Sequence, residues 1–174
     1  MNRRTIVRAA SILAFSFVSG CASNIPPRDA PKFSEAPAAP PGLATLYIFR
    51  PFLSENGSGV WPVTSLNGTK VADVKVGSYT FLYVKPGTYK ITSEKSQALT
   101  FLDNIPGQFT IGEPGAYYLA FITTGRNSVV TVGTSAMTVA GPTDHSWRLL
   151  PRQEAMRFLP NMRFLPPYTQ SLGN

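Results

Sequence analysis

The sequence predicts a mainly β protein, an antiparallel β-sandwich or small barrel with one short C-terminal helix. Three observations carry this. Between Leu43 and Ala140, short segments rich in Val, Ile, Thr, Tyr and Phe recur, separated by Asn-Gly, Pro-Gly and other glycine-bearing turn signals. No strand-helix-strand rhythm of the kind that builds a parallel sheet interrupts them. The one segment with helix punctuation, Arg152 to Leu159, lies near the far end of the chain, bracketed by Pro151 and Pro160.

Taken in order, Leu43 to Arg50 (LATLYIFR) is an unbroken apolar and aromatic run closed by Pro51, the pattern of a strand buried on both faces. Ser54 to Gly59 (SENGSG) reads as a loop. Trp61 to Leu66 follows as a strand, with Pro62 marking a strand start or an edge because it has no amide hydrogen to give a ladder. Asn67-Gly68 is the strongest short hairpin signal, since both residues tolerate the positive φ of a type I′ turn. Lys70 to Val76 alternates, with Ala72, Val74 and Val76 on one face and Val71, Asp73 and Lys75 on the other, which predicts a half-exposed strand. Past Gly77-Ser78, Tyr79 to Val84 places Tyr79, Phe81 and Tyr83 on one face and Thr80, Leu82 and Val84 on the other.

Lys85-Pro86-Gly87-Thr88 reads as a type II turn, Pro fixing φ at the second position and Gly supplying positive φ at the third, and Thr88 to Glu94 returns as a strand. Lys95 to Gly107 carries only a short apolar patch at Leu99 to Leu102 and a turn signal at Ile105-Pro106-Gly107. Phe109 to Ile111 and Ala116 to Thr123 (AYYLAFIT), joined by Gly112-Glu113-Pro114-Gly115, read as a hairpin. Gly125-Arg126-Asn127 predicts a turn into Ser128 to Val132, Gly133 ends that run, and Ser135 to Ala140 reads as a short strand or a loop. Arg152 to Leu159 makes roughly two helical turns, a cap on the sandwich rather than a scaffold.

The ends of the chain organise differently. Arg3, Arg4 and Arg8 form a cationic start, and Ala9 to Val18 an apolar run too short to span a bilayer as a helix, the build of a secretory signal segment. The run leads into Val18-Ser19-Gly20-Cys21, small residues ending in the only cysteine. Residues 24–42 carry Pro26, Pro27, Pro31, Pro37, Pro40 and Pro41, a composition that builds no core and predicts a semi-rigid tether, about 50 to 60 Å long if fully extended. A Pro-rich recognition segment is the other reading of that stretch. The resulting division is a signal peptide at 1–20, a Cys-headed tether at 21–42, a β-sandwich at 43–150, and a short helix with an extended tail at 151–174.

Val18-Ser19-Gly20-Cys21 resembles the lipobox of bacterial lipoproteins, in which the thiol is diacylated, the signal is cut before the Cys and the new amino terminus is acylated. The resemblance implies Cys21 as the lipidation site and the membrane as a partner through the N-terminal lipid; the competing reading is ordinary cleavage after Ala22, which leaves no anchor. Asp after the Cys favours inner-membrane retention in typical Gram-negative lipoproteins. Ala22 and Ser23 stand here, which implies an outer-membrane lipoprotein of the cell envelope facing the periplasm. Further along, Tyr47-Ile48-Phe49-Arg50-Pro51, Leu66-Asn67-Gly68 with Val71, Gly77-Ser78-Tyr79 and Lys85-Pro86-Gly87-Thr88-Tyr89 resemble an uncharacterised bacterial lipoprotein domain, domain of unknown function 2846. The likeness covers about Leu43 to Phe121, brings no catalytic residues with it, and implies an immunoglobulin-like or transthyretin-like β-sandwich.

Charge and residue inventory narrow the function. The formal charge is +7, with 16 Lys and Arg against 9 acids. Without the three arginines of the signal segment the balance is a mild +4, scattered along the chain, which speaks for nearness to anionic lipid or envelope polymer and against nucleic acid. With Cys21 acylated no thiol remains for a disulfide framework or a thiolate metal site.

His145 is the only histidine, flanked by Asp144 and Ser146, whose side chains diverge from it on any extended backbone, and no G-x-S-x-G elbow or phosphate-binding fingerprint is present. His145 therefore reads as a surface-loop residue, and the chain as a non-enzyme without cofactor or metal. Near the end, Met156-Arg157-Phe158-Leu159-Pro160 is repeated as Met162-Arg163-Phe164-Leu165-Pro166. Arg157, Phe158, Arg163 and Phe164 are candidate anchors for an envelope protein partner, with packing of the Phe and Leu on the sandwich as the other reading. Trp61, Trp147 and the row Tyr79, Phe81, Tyr83 keep a glycan-stacking surface open as an alternative.

Overall fold

The computed structural model describes residues 25–52, 63–94, 105–132 and 135–172. The signal peptide, Cys21, the Ser54–Gly59 loop, Trp61 and the Leu99–Leu102 patch lie outside the described residues. The protein is mainly β and two sheets face each other, as the sequence predicts. The large sheet contains β1 (Ala44–Arg50), β4 (Ser78–Val84), β7 (Ala116–Val132), β8 (Ser135–Leu150) and two short strands of the tail, β9 (Arg163–Phe164) and β10 (Ser171–Leu172). The small sheet contains β2 (Val63–Leu66), β3 (Thr69–Asp73), β5 (Gly87–Glu94) and β6 (Ile105–Ile111), in the order β3-β2-β5-β6.

The apolar run of β1 has a simple cause: the large sheet has a core on each side. Leu46, Ile48, Leu82 and Leu119 face the small sheet, where they meet Leu66, Val71, Ile91 and Ile111. Tyr47, Phe49, Tyr79 and Tyr118 face the other way, under Ala155, Leu159 and Met162 of the C-terminal segment. All seven residues of β1 are buried in consequence.

Local chemistry fixes the β2–β3 hairpin as expected, with Asn67 at φ 48° and Gly68 at φ 82°. Asn67 also ties the hairpin to β5: its amide donates to the Lys90 carbonyl (2.8 Å) and its Oδ1 accepts from the Lys90 amide (2.9 Å). The expected alternation of 70–76 fails at one point. A register shift between Thr64 and Ser65 lets both Val71 and Ala72 be buried, so Val71 joins the core.

Several connections differ from the expected ones. Lys85 to Thr88 carries the chain from the large sheet to the small one, and Gly87, at φ 156°, is already the first residue of β5. Ile105-Pro106-Gly107 is strand rather than turn; Pro106 is tolerated because β6 is the outer strand of the small sheet. Gly112–Gly115 does not close a hairpin: β6 and β7 belong to different sheets, and the Thr45 amide donates to the Gly115 carbonyl (2.8 Å), seating β7 parallel to β1. The large sheet is therefore mixed, since β9 and β10 also run parallel to β4.

Gly125-Arg126-Asn127 does not turn the chain either. It holds a register shift within β7, which pairs with β8 from Tyr118↔Leu150 out to Val132↔Ser135. The C-terminal helix is shorter than expected. α1 covers Arg152–Ala155 and gives way through turns to a 3-10 turn at Leu159–Asn161, where Pro160 cannot donate to a continuing helix.

Candidate functional site

The outer face of the large sheet is where the two chain ends meet. Tyr79, Phe81 and Tyr83 of β4 stand in a row beside Tyr47 of β1, which stacks on Tyr118 of β7 at 5.2 Å with planes 8° apart. This aromatic surface is occupied by the Pro-rich segment. The Ser34 amide donates to Tyr79 Oη (3.1 Å), the Ala36 amide donates to Tyr47 Oη (2.8 Å), and Tyr83 Oη donates to the Pro37 carbonyl (3.2 Å). Phe33 sets its ring edge-on against Tyr79 at 5.1 Å. Burial pushes the Tyr47 phenol above its ordinary value, against the opposing pull of the Ala36 amide.

The stretch expected to be a semi-rigid tether ahead of a body starting at Leu43 is, over residues 30–37, fastened to that body. A proline-rich chain offers unpaired carbonyls and a pre-extended backbone at little entropic cost, and a row of tyrosines supplies ring faces and hydroxyls that suit both. Of the row on which glycan stacking would rest, Tyr79 is only 2% exposed, while Phe81 and Tyr83 are half-buried.

The tail lies over the same face. Lys32 bridges to Arg163, the Phe33 amide donates to the Met162 carbonyl (3.0 Å), and the Phe164 amide donates to the Pro31 carbonyl (2.7 Å). Arg163 Nη1 donates to the Ala30 carbonyl (2.7 Å), and Phe164 packs against Tyr79 at 5.5 Å and Phe81 at 5.6 Å. At the far side Arg152 Nη2 meets Glu35 Oε1 at 2.7 Å; both side chains are exposed, so this pair orders the surface more than it stabilises it.

The tail then continues along the edge of the large sheet. The Tyr83 amide donates to the Gln170 carbonyl (3.0 Å), β10 pairs with the end of β4, and the Tyr168 amide donates to the Val71 carbonyl of β3 (2.8 Å). Both the β4 and β3 edges thereby acquire backbone partners from residues 163–172.

The structure splits the four candidate tail residues into two pairs. Arg163 and Phe164 belong to the clasp between the chain ends, half-buried and engaged. Arg157 is exposed and lines, with half-buried Phe158, a shallow cleft completed by Phe52, Gly77, Asn161 and Met162.

Sequence reasoning missed the buried arginine of the inner layer. Arg50 is 1% exposed, with its guanidinium carbon 5.4 Å from the centroid of the Phe121 ring. Burial pushes its pKa down to about 10. Beside it, Phe121 stacks on His145 at 5.6 Å and packs at a tilt of 58° against Trp147 at 4.9 Å. His145 is a strand residue, not a loop residue: its Nδ1 is 3.1 Å from Thr123 Oγ1. Trp147 Nε1 donates to Ser93 Oγ (2.9 Å), stitching the large sheet to the small one. The signal for Arg50 was its place at the end of a run that is buried throughout. No family model, no curated protein and no solved structure matches this chain.

Proposed function

We propose that the chain is a lipid-anchored protein of the bacterial envelope, a non-enzymatic β-sandwich that works as a structural or protein-interaction module and sits on the periplasmic face of the outer membrane. The observation that carries this reading is Val18-Ser19-Gly20-Cys21 placed directly behind a cationic start and a short apolar run. The likeness of Leu43 to Phe121 to the lipoprotein domain of unknown function 2846 supports it. Three acyl chains at roughly 0.8 kcal/mol per buried CH2 exceed what stable anchoring needs. His145 supports the non-enzymatic reading, since this half-buried ring is held by Thr123 and stacked on Phe121.

The clasp modifies how such a module presents itself. With residues 32–37 fixed to the sheet, the anchor holds the body near the membrane rather than at the end of a long arm. The test is metabolic labelling with an alkyne fatty acid in a Gram-negative host, followed by density separation of the two membranes. The expected result is label on the wild type in the outer-membrane fraction and none on Cys21→Ser. An unlabelled wild type released as a soluble periplasmic protein overturns the reading.

A further inference from the structure

The proline-rich segment lies on the large sheet with a period of its own. Ala30, Phe33, Ala36 and Ala39 are half-buried, and the residues between them are exposed. One inward contact in every three residues is the period of a polyproline II helix. Along its inward edge Phe33 and Ala36 pack on the outer core of the sheet. Its backbone is met by hydroxyls, those of Tyr79, Tyr47 and Tyr83 at Ser34, Ala36 and Pro37. Pro-rich ligands dock on aromatic-lined grooves in this manner, and here the ligand is carried on the same chain as the groove.

A single reversal keeps the helix on its own body. Between Ala39 and β1 the chain folds back at Pro40-Pro41-Gly42-Leu43, where the Leu43 amide donates to the Pro40 carbonyl (3.0 Å) and Gly42 takes φ 77°. Proline at the second position and positive φ at the third make this a type II turn. No atom lies within 4 Å of a Cβ built on Gly42, so no packed neighbour braces the turn there. Pro37, Pro40 and Pro41 favour extended chain, and once straightened residues 38–43 span about 19 Å at a polyproline II rise. The bonds that hold residues 30–37 all join them to residues beyond the turn. Opening the turn therefore breaks no contact that a second copy of the chain could not restore.

We propose that residues 30–39 are exchanged between two copies of the chain, each laying its polyproline II helix in the other's aromatic groove as a reciprocal, two-fold pair. The contacts are the same in the closed monomer and the exchanged pair, so the turn and the protein concentration set the balance between them. A second copy is the partner because it carries Phe33, Ala36 and Ala39 in the register the groove accepts. A polyproline II helix also has no internal hydrogen bonds to lose as it passes from one body to another. Short, constrained hinges are where such exchange arises. The exchange goes beyond the lipid-anchor reading and does not depend on acylation of Cys21.

The test reads whose segment fills the groove. Lys32 and Arg163 face each other as a non-hydrogen-bonded antiparallel pair, flanked by the bonds from the Phe33 amide to Met162 and from the Phe164 amide to Pro31, so a disulfide fits between them. Lys32→Cys and Arg163→Cys are placed on separately tagged full-length chains, each also Cys21→Ser, which are co-expressed and oxidised. A closed monomer of either kind holds one thiol with no partner. The expected result is heterodimer linked from 32 to 163, several-fold above the yield of Lys32→Cys co-expressed with Thr88→Cys, an exposed position on the small sheet. A yield equal to that control overturns the proposal.

Arg163→Cys also removes the bond to the Ala30 carbonyl, so a second measurement leaves the groove untouched. Val at position 42 strains the positive φ of the closed turn and meets no neighbour. Gly42→Val is expected to run as a dimer in light scattering, in a detergent where the wild type is measured alongside it, with its Lys32–Phe33 bond as resistant to trypsin as the wild type's. A monomeric Gly42→Val overturns the proposal, whether the bond is protected, because the turn then tolerates Val, or cut, because the segment then merely lifts. A dimer in which the bond is cut is joined elsewhere and overturns it as well.

Discussion

Gly107 shows how a single residue can carry opposite meanings in sequence and in space. Ile-Pro-Gly is spelled like a turn, yet Gly107 lies within β6, where an added Cβ would stand 2.9 Å from Ile91 Cγ2 and 3.0 Å from Trp147 Cβ. The side chains that exclude a methyl come from β5 and β8, distant in the chain, so no local pattern reveals them. Gly107→Ala should lower stability by about 1 to 3 kcal/mol, read as a shift in the denaturant midpoint, because Trp147 is held by Ser93 and cannot give way freely. Tyr168 gives a pH signature. Although the residue is 59% exposed, partial desolvation of its hydroxyl, with Asp73 next, pushes the phenol up to about 12 from an ordinary 10.0. The folded state then holds the proton more tightly than the unfolded chain does. The contribution is fully present below pH 10 and is lost as pH rises through about 12. Spectrophotometric titration of Tyr168→Phe should lack one phenol component with its midpoint near 12, and Asp73→Asn should move that component down.

The clasp is the element that composition conceals. The double-sided burial of β1 was legible in LATLYIFR, as was the Asn67-Gly68 turn, because both are written in neighbouring residues. The cover on the outer face was not, since it pairs Pro31 with Phe164 and Glu35 with Arg152, and a proline-rich stretch reads as a spacer wherever its partners are distant. The Gly112–Gly115 connection failed for a related reason: turn chemistry reveals a reversal but not which sheet receives the next strand. Phe33 and Phe164 both lean on Tyr79, at 5.1 and 5.5 Å. Phe33→Ala and Phe164→Ala should each cost about 2 kcal/mol, less than a fully buried Phe, and a double-mutant cycle should return a coupling of about 0.5 to 1.5 kcal/mol. Ending the chain after Leu150 should produce an aggregating protein rather than a merely weaker one, because it frees the β4 edge and uncovers Tyr79 and Phe81 together; light scattering against urea melts separates these outcomes.

At the scale of the molecule, residues 30–37 and the C-terminal segment converge on one face of one sheet, so the proline-rich stretch is part of the folded layer there. A tether that is merely proline-rich would be open to proteases throughout its length. One fastened by Tyr79, Tyr47 and Tyr83, and bridged from Lys32 to Arg163, must be lifted off before a protease can bind an extended stretch of it. The bond after Lys32 is a natural probe, because the side chain is exposed while the backbone beside it is engaged: the Phe33 amide is bonded to Met162. When opening is fast relative to cutting, the rate of cleavage follows the population of the lifted state, and each 1.4 kcal/mol removed from the clasp raises it about tenfold. Trypsin acting on the wild type should therefore leave the Lys32–Phe33 bond intact for long periods. In Phe33→Ala with Phe164→Ala, the same bond should be cut at least tenfold faster, releasing a sandwich with residue 33 at its new amino terminus. Equal rates in the two proteins would mean that the segment spends its time free, and that the sandwich swings on an arm instead of resting where its own termini hold it.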